Sequence, residues 1–285
     1  MKLSHLALVI VLSATTAFGV MKVAPQSATT PTATAKESAF QRVDKAGVLR
    51  CGYIIWAPFL AQDMATKKMS GIVFDYVEAI AQELGWKVEW TEEVGWGNYA
   101  EGLKTNRYDA MCMPVYETGL RAKFSLMTTS IYNNGLYAYG RADDARFDAS
   151  MDSLNDPSVT LAFVEGDAVS TALKKNVFPR AKEMLLPQLI DQGQYLMTVG
   201  TRKADAGFAS PYAINKYNEG AEAKLKLIGG QKPVSVYGNA LAVQMGEYDL
   251  KFALDSAIQA LLKNGAAKQI IEAYRKDGFL LPTEY

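Results

Sequence analysis

Two successive series of strand-length and helix-length segments constrain the fold of this 285-residue chain more than any other feature. In the first series, apolar segments of strand length begin at 48–55 and alternate with amphipathic segments such as 73–84, where apolar residues recur at helical spacing. The pattern restarts at 159–164 and continues to 225–228. Because strands that alternate with helices over short connections form parallel sheets covered by helices, the sequence predicts an α/β fold with two such units.

The end of the chain completes the first unit. An extended apolar run at 234–243 follows the second unit, and two helical segments at 248–262 and 266–275, separated at Gly265, come after it. The sequence therefore predicts that the second unit is inserted into the first.

Charge and composition exclude several classes of function. Lys plus Arg and Asp plus Glu both total 30, and this balance disfavours binding of nucleic acid through bulk electrostatics. The single histidine, His5, lies in a segment that we expect to be removed. The folded part then has no imidazole for Ser-His-Asp or Cys-His catalysis or for a His-containing metal site. We expect neither a metal nor a cofactor.

The two cysteines, Cys51 and Cys112, both lie in apolar runs typical of buried strands. Buried free cysteine is common, so the pattern favours two small hydrophobic residues over a disulfide. If the two strands are neighbours, a bridge between them is the alternative, and its geometry is not encoded in the spacing.

The N-terminus has the layout of an export signal. Residues 1–22 combine a short basic start with an apolar stretch shorter than the roughly 20 residues that span a membrane. We predict a cleaved signal peptide here, with an uncleaved anchor as the alternative. Residues 23–37 are rich in Ala, Thr and Pro and are predicted to be a flexible linker. The protein is therefore expected to be exported and periplasmic.

Four short motifs follow in a characteristic order. They are Trp56-Ala57-Pro58-Phe59 after the first strand, the segment 71–85 around the first long helix, the hexapeptide Thr118-Gly119-Leu120-Arg121-Ala122-Lys123, and the return strand 237–243. With these motifs at these spacings, the chain from about 43 to 279 resembles the family 3 extracytoplasmic solute-binding proteins, the amino-acid-binding subunits of ABC importers.

The resemblance implies an architecture. That family has a type II periplasmic-binding-protein-like fold, in which two α/β lobes, each a mainly parallel sheet flanked by helices, are joined by two crossing strands that act as a hinge. Here the crossings would be 132–140 and 234–243. Lobe 1 would comprise 44–133 plus 241–285, and lobe 2 would comprise 138–234.

The resemblance also implies a function. A monomeric binding protein would capture a small carboxylate-bearing solute, an amino acid or a derivative, in the cleft between its lobes. Domain interfaces and the carboxyl ends of parallel strands are also where α/β folds bind ligands on general grounds. Hinge closure would trap the solute, which would then pass to an ABC permease in the inner membrane.

The same resemblance assigns candidate ligand-binding residues. Arg121 matches the arginine that holds the ligand carboxylate. A guanidinium suits this role because it can donate two hydrogen bonds to the two oxygens of a carboxylate. Thr118 belongs to the same motif, and Trp56 matches the aromatic residue that stacks on the ligand. Tyr99 matches a position on the cleft wall, and Trp96 lies close before it. The plain alternatives are a surface arginine and aromatic residues that only pack the core.

The chain departs from the family pattern where the ligand's ammonium group would be held. Tyr116 replaces a Ser or Thr, Asp167 follows Gly166 where hydroxyl residues are common, and Ser210 replaces an expected aspartate. Helix capping is the ordinary explanation for Asp167 and Ser210, and it is compatible with ligand contact. We therefore expect an intact carboxylate-binding half and an altered ammonium-binding half, with Asp167 as an alternative partner for a cationic group.

Two other functions remain as alternatives. An enzyme on the same scaffold, such as a dehydratase, would need a carboxylate acid or base in the cleft, for which Asp167 and Glu117 are the candidates. A ligand-sensing module would be favoured if the leader stays attached as an anchor. We expect a binding protein without enzymatic activity.

Overall fold

The computed structural model describes residues 37–57, 59–230 and 232–274. The predicted signal peptide or anchor at 1–22 lies outside the described residues, as does the predicted linker except for Glu37. Within the described ranges, no helix is both long enough and apolar enough to cross a membrane.

Eight α-helices and twelve β-strands follow one another within these residues. The helices are α1 Ala39–Ala46, α2 Ile72–Glu83, α3 Tyr99–Lys104, α4 Ala168–Asn176, α5 Gln192–Gly200, α6 Pro211–Gly220, α7 Tyr248–Asn264 and α8 Ala266–Tyr274. The strands are β1 Val48–Tyr53, β2 Ala61–Gln62, β3 Met69–Ser70, β4 Lys87–Glu93, β5 Ala110–Tyr116, β6 Ser125–Met127, β7 Tyr132–Arg141, β8 Thr160–Val164, β9 Lys182–Leu186, β10 Ala206–Ala209, β11 Leu225–Leu227 and β12 Ser235–Gln244.

Two groups of parallel strands lie on either side of a long antiparallel pair. The main sheet has the order β4-β1-β5-β12-β7-β10-β8-β9, with β6 on β12 and β11 on β7. Strand β1 is parallel to β4 and β5, and β8 is parallel to β9 and β10. The two long strands, β7 and β12, pair antiparallel with each other at the centre. They occupy the positions predicted for the two crossings.

Each group of parallel strands has its own hydrophobic core. The first half, defined as β1, β4 and β5 with α1–α3, α7 and α8, buries residues such as Tyr76 and Ile258 in one cluster. The second half, defined as β8–β10 with α4–α6, buries two clusters, centred on Phe208 and on Leu196. These cores account for the two series of alternating segments in the sequence. The lobe boundaries given above stay a prediction.

The prediction of two free cysteines is wrong, because Cys51 and Cys112 form a disulfide. Strands β1 and β5 are neighbours, and Cys51 lies opposite Ala110 in their register. The two cysteine Cα atoms are 5.3 Å apart, inside the range that a disulfide spans. Apolar periodicity could predict each strand but not that these two are adjacent.

Short polar signals set several helix ends as predicted. Ser38 begins α1 with a capping box that includes Gln41. Asp167 caps α4, and Ser210 caps α6 with proline at the first helical position. Gly265 ends α7 in the left-handed conformation at φ +85°. Asp167 and Ser210 are therefore fixed at helix N-termini.

The structure also contains elements that the sequence did not predict. The small β2–β3 hairpin and the three-residue β6 are too short to show a periodicity. Strand β5 extends beyond the apolar run around Cys112 and continues to Tyr116. This extension places Tyr116 opposite Asn239 of the central strand β12.

Candidate functional site

A cavity of about 110 Å³ lies between the first and second halves, beside the central strand pair. Its walls include six of the eight predicted site residues, namely Trp56, Trp96, Tyr116, Arg121, Asp167 and Ser210. Most of them follow the carboxyl end of a strand, since the chain leaves β1, β5, β8 and β10 toward this space. The cavity is therefore where open α/β folds place their ligands.

Arg121 is the most deeply buried charged side chain of this cavity, with 2% of its surface exposed. Its Nη1 donates to the carbonyl of Tyr116 at 3.2 Å, and its Nη2 donates to Asp167 Oδ1 at 2.9 Å. The guanidinium also lies 5.5 Å from the centroid of the Trp96 ring, within cation–π range. Its Nε is buried without a hydrogen-bond partner. A guanidinium with one unused donor thus borders the cavity.

Asp167 both caps helix α4 and forms an ion pair with Arg121. Its Oδ2 accepts from the backbone N–H of Ser170 at 2.7 Å, which confirms the predicted cap of α4. Its Oδ1 accepts from Arg121, so one ion pair joins the second half to the first across the cavity. Capping therefore holds the carboxylate in the orientation in which it meets the guanidinium.

Other contacts bring the two halves together around the cavity. The N–H of Gly97 donates to Gln188 Oε1 at 3.2 Å, and the rings of Trp56 and Tyr195 lie 6.2 Å apart. Gly166 has φ +72°, and a Cβ at this residue would lie 3.1 Å from the Cα of Gly97. Only glycine combines this backbone conformation with so close an approach.

Two predicted site residues, Tyr99 and Thr118, are not among the residues that line the cavity. The backbone N–H of Arg121 donates to Thr118 Oγ1 at 3.3 Å. The Tyr99 hydroxyl lies 3.2 Å from Ser125 Oγ, which in turn donates to the carbonyl of Arg121. Both residues therefore support the backbone that presents Arg121.

Tyr116 connects the cavity wall to the central strands. Its ring stacks on Tyr237 of β12 with 4.5 Å between centroids and 7° between planes. Its hydroxyl accepts from Asn134 Nδ2 at 3.2 Å. Burial raises the pKa of Tyr116 to about 12, so the phenol stays neutral at physiological pH.

Sequence reasoning missed four polar residues of the cavity: Ser170, Gln192, Tyr195 and Asn239. Gln192 Oε1 and Asn239 Oδ1 are buried without hydrogen-bond partners, whereas the Tyr195 hydroxyl donates to the carbonyl of Ala162 and accepts from the N–H of Phe208. Asn239 is a polar residue inside an apolar strand, and Gln192 opens a helix after β9. These two features of the sequence could have indicated that Asn239 and Gln192 belong to the site.

The two carboxylates considered for acid–base chemistry are placed differently. Glu117 is exposed and is not among the residues that line the cavity. Asp167 is the one carboxylate among the described lining residues, and both of its oxygens already accept hydrogen bonds. The arrangement suits the binding of charged groups.

Known structures with this architecture include several binding proteins. An ancestral amino acid-binding protein, described as a precursor of cyclohexadienyl dehydratase, is 22% identical with a TM-score of 0.71 over 83% of this chain and 99% of that chain. A mutant of ArgBP from T. maritima is 18% identical with a TM-score of 0.71 over 84% of this chain and 99% of that chain. An amino acid ABC transporter substrate-binding protein from Streptococcus pneumoniae, bound to L-arginine, is 20% identical with a TM-score of 0.69 over 83% and 98%.

These likenesses show the fold, which is the predicted two-lobed, periplasmic-binding-protein-like α/β fold. No curated protein sequence matches the chain. The family model of bacterial extracellular solute-binding proteins, family 3, matches residues 49–277, which is most of the chain and contains the whole cavity. The chain belongs to the family 3 bacterial extracellular solute-binding proteins.

Proposed function

We propose that this protein captures a small carboxylate-bearing solute, an amino acid or an amino-acid derivative, in the cavity between its two halves. The observation that carries the proposal is the buried guanidinium of Arg121, which borders the cavity with an unused Nε–H. A buried polar group without a partner is costly, and a carboxylate is the anion whose paired oxygens fit a guanidinium.

The solved structures support an amino acid as the solute. One similar protein is described as amino acid-binding, and another holds L-arginine. The cavity of this chain adds an anionic partner, Asp167, near the cationic one, so both charged groups of an amino acid would find a counterpart.

We further propose that the protein is exported, acts as a monomer and delivers its solute to an ABC-type permease. The family of extracellular solute-binding proteins and the similar ABC-transporter subunits support this role. In this proposal, residues 44–133 plus 241–285 and residues 138–234 are the lobes that close on the solute. A dehydratase-like activity is not favoured, because a ligand would meet one carboxylate among the described lining residues, and that carboxylate is ion-paired.

Calorimetric titration with the standard amino acids tests the proposal. The informative variant is Arg121→Met, and its matched control is Arg107→Met, because Arg107 is an exposed arginine whose ion pair with Glu92 lies outside the cavity. We expect at least one amino acid to bind and Arg121→Met to weaken it about 100-fold, with the control unchanged.

The opposite results would reject the proposal. They are the absence of binding for every amino acid, or an equal affinity for wild type and Arg121→Met. Conversion of the bound molecule during incubation would favour the enzymatic alternative.

A further inference from the structure

The cavity is electrically balanced. Among the described residues that line it, Arg121 and Asp167 are the charged ones, and they form a single ion pair. A ligand with a net charge would leave one charge without a counterpart in a buried site, which is unfavourable. A zwitterion avoids this cost, because its carboxylate replaces Asp167 on the guanidinium while its ammonium faces Asp167.

Two further acceptors are available to an ammonium group. Gln192 Oε1 and Asn239 Oδ1 are buried at the cavity, and neither has a hydrogen-bond partner. An ammonium has three N–H donors and no acceptor, so it matches a set of one carboxylate and two amide oxygens. The lining therefore includes three residues with oxygen acceptors for an ammonium, although Ser210 replaces the aspartate expected from the family.

Much of the remaining wall of the cavity is apolar. Leu136, Val169, Leu173 and Phe208 line it, and all four belong to one buried cluster of the second half. No second carboxylate stands among the described lining residues to receive a cationic side chain. A guanidinium or ammonium at the end of a ligand side chain would lose its water here without gaining a charged partner.

The size of the cavity limits this apolar portion. The free space is about 110 Å³. An apolar cavity of about 150 Å³ admits benzene, so the smaller space here, which must also hold the charged groups, suits a short branched aliphatic chain and not a ring.

We propose that the ligand is a zwitterionic amino acid with a branched apolar side chain, of the size of valine or leucine, that inserts between Arg121 and Asp167. This inference rests on the proposed function and gives it a substrate class. In this arrangement Asp167 binds the ammonium group of the ligand, and the cluster around Val169 and Phe208 contacts its side chain.

The first experiment compares four amino acids by calorimetry on the wild-type protein. L-valine or L-leucine is expected to bind at least about 10-fold more tightly than L-arginine and L-glutamate, since each of the latter buries an unpaired charge. Equal or tighter binding of L-arginine or L-glutamate overturns the inference but leaves the proposed function standing. Failure of all amino acids to bind rejects the proposed function itself.

The second experiment tests the role of Asp167 with 4-methylpentanoate, which is leucine without its ammonium group. In wild type this acid should bind about 10- to 100-fold more weakly than L-leucine. In Asp167→Asn, which keeps a good capping residue on α4, the difference should shrink to about 3-fold or less, because the ammonium has lost its charged partner.

The matched control is Asp191→Asn, which alters an exposed capping aspartate of the same half that is not among the lining residues. It should preserve the wild-type ratio between the two ligands. If Asp167→Asn also preserves that ratio, Asp167 does not hold the ammonium and the inference is wrong.

Discussion

Two buried arginines in this protein have the same chemistry and nearly the same burial but different surroundings. Arg121 is 2% exposed and Arg141 is 5% exposed. The Arg141 Nη1 donates to the carbonyls of Val199 and Ala204, and its Nη2 donates to Asp144 Oδ2 at 2.7 Å. These partners all lie on the second half's side of the central strands. Arg121 instead has one partner from each half and lines the cavity.

The partners, more than the burial, indicate what each arginine does. The charges around Arg141 form a network. Asp144, the partner of Arg141, also accepts a hydrogen bond from Arg146, and Arg146 donates to Asp205 as well. The Arg141 Nε, like the Arg121 Nε, has no hydrogen-bond partner, but it lies 3.8 Å from Asp143 Oδ1. Arg141 is not among the residues that line the cavity, whereas Arg121 lines it together with two unpaired amide oxygens. A buried charge that meets only charges of the fold stabilises the fold, and one that borders a cavity is available to a ligand.

The largest expected effect is on stability at Arg141. Arg141→Met should lower the free energy of unfolding by about 3–5 kcal/mol, because it leaves Asp144 buried without one of its cations. Urea denaturation measures this change. Ligand affinity of the folded variant should stay within about 3-fold of wild type. A large loss of affinity would contradict the separation of the two sites.

Arg121→Met should show the reverse pattern. Affinity should fall about 100-fold, as above, while the free energy of unfolding falls by only about 1 kcal/mol. The stability cost is small because Asp167 keeps the N–H of Ser170 and has 15% of its side chain exposed. Urea denaturation of both arginine variants in parallel is the measurement. Equal destabilisation by Arg121→Met and Arg141→Met would contradict the proposed difference between the two arginine sites.

Acid should affect the Arg141 network in a defined pH window. Hydrogen bonds from Arg146 are the main cause that lowers the pKa of Asp144 from 3.8 to about 2. The stability from this lowered pKa is fully present above pH 4 and is lost as the pH falls toward 2. The loss should be about 1–2 kcal/mol, since Arg146 is half exposed and solvent screens its charge.

Urea denaturation of wild type and Asp144→Asn across this window measures that contribution. The variant should lack this part of the pH dependence. An identical pH dependence in both proteins would show that Asp144 does not titrate as described.

The smallest effect is expected at Ser210. Its Oγ accepts from the N–H of Ala213 at 3.3 Å, so Ser210→Ala should cost about 1 kcal/mol of stability through the lost cap. Affinity should fall by no more than about 3-fold, because Asp167 supplies the negative charge of the site. Thermal unfolding and calorimetry check the two values. A 100-fold loss of affinity would return the ammonium-binding role to Ser210.

The sequence predicted the order of the main helices and strands because their periodicity is local. It also predicted the caps at Asp167 and Ser210, where the signal lies within four residues. The disulfide was missed because it depends on which strands are adjacent, a property of the whole sheet. The apolar pattern of Cys51 and Cys112 is the same whether they are bonded or free.

The candidate site was predicted only in part. Motif resemblance located Arg121 and the aromatic residues Trp56 and Trp96 at the cavity. It did not show that Tyr99 and Thr118 stabilise the backbone around Arg121 outside the cavity, since that depends on side-chain packing. Nor did it show that Asp167 pairs with Arg121, because the two residues come from different halves.

The central claim is that Arg121 holds the carboxylate of the ligand. Calorimetry of the tightest-binding amino acid and its carboxamide, on wild type and on Arg121→Met, tests it most directly. We predict that the amide binds wild type about 100-fold more weakly than the free acid, and that the two bind Arg121→Met with affinities within about 3-fold of each other. The same ratio of acid to amide in both proteins would contradict the claim.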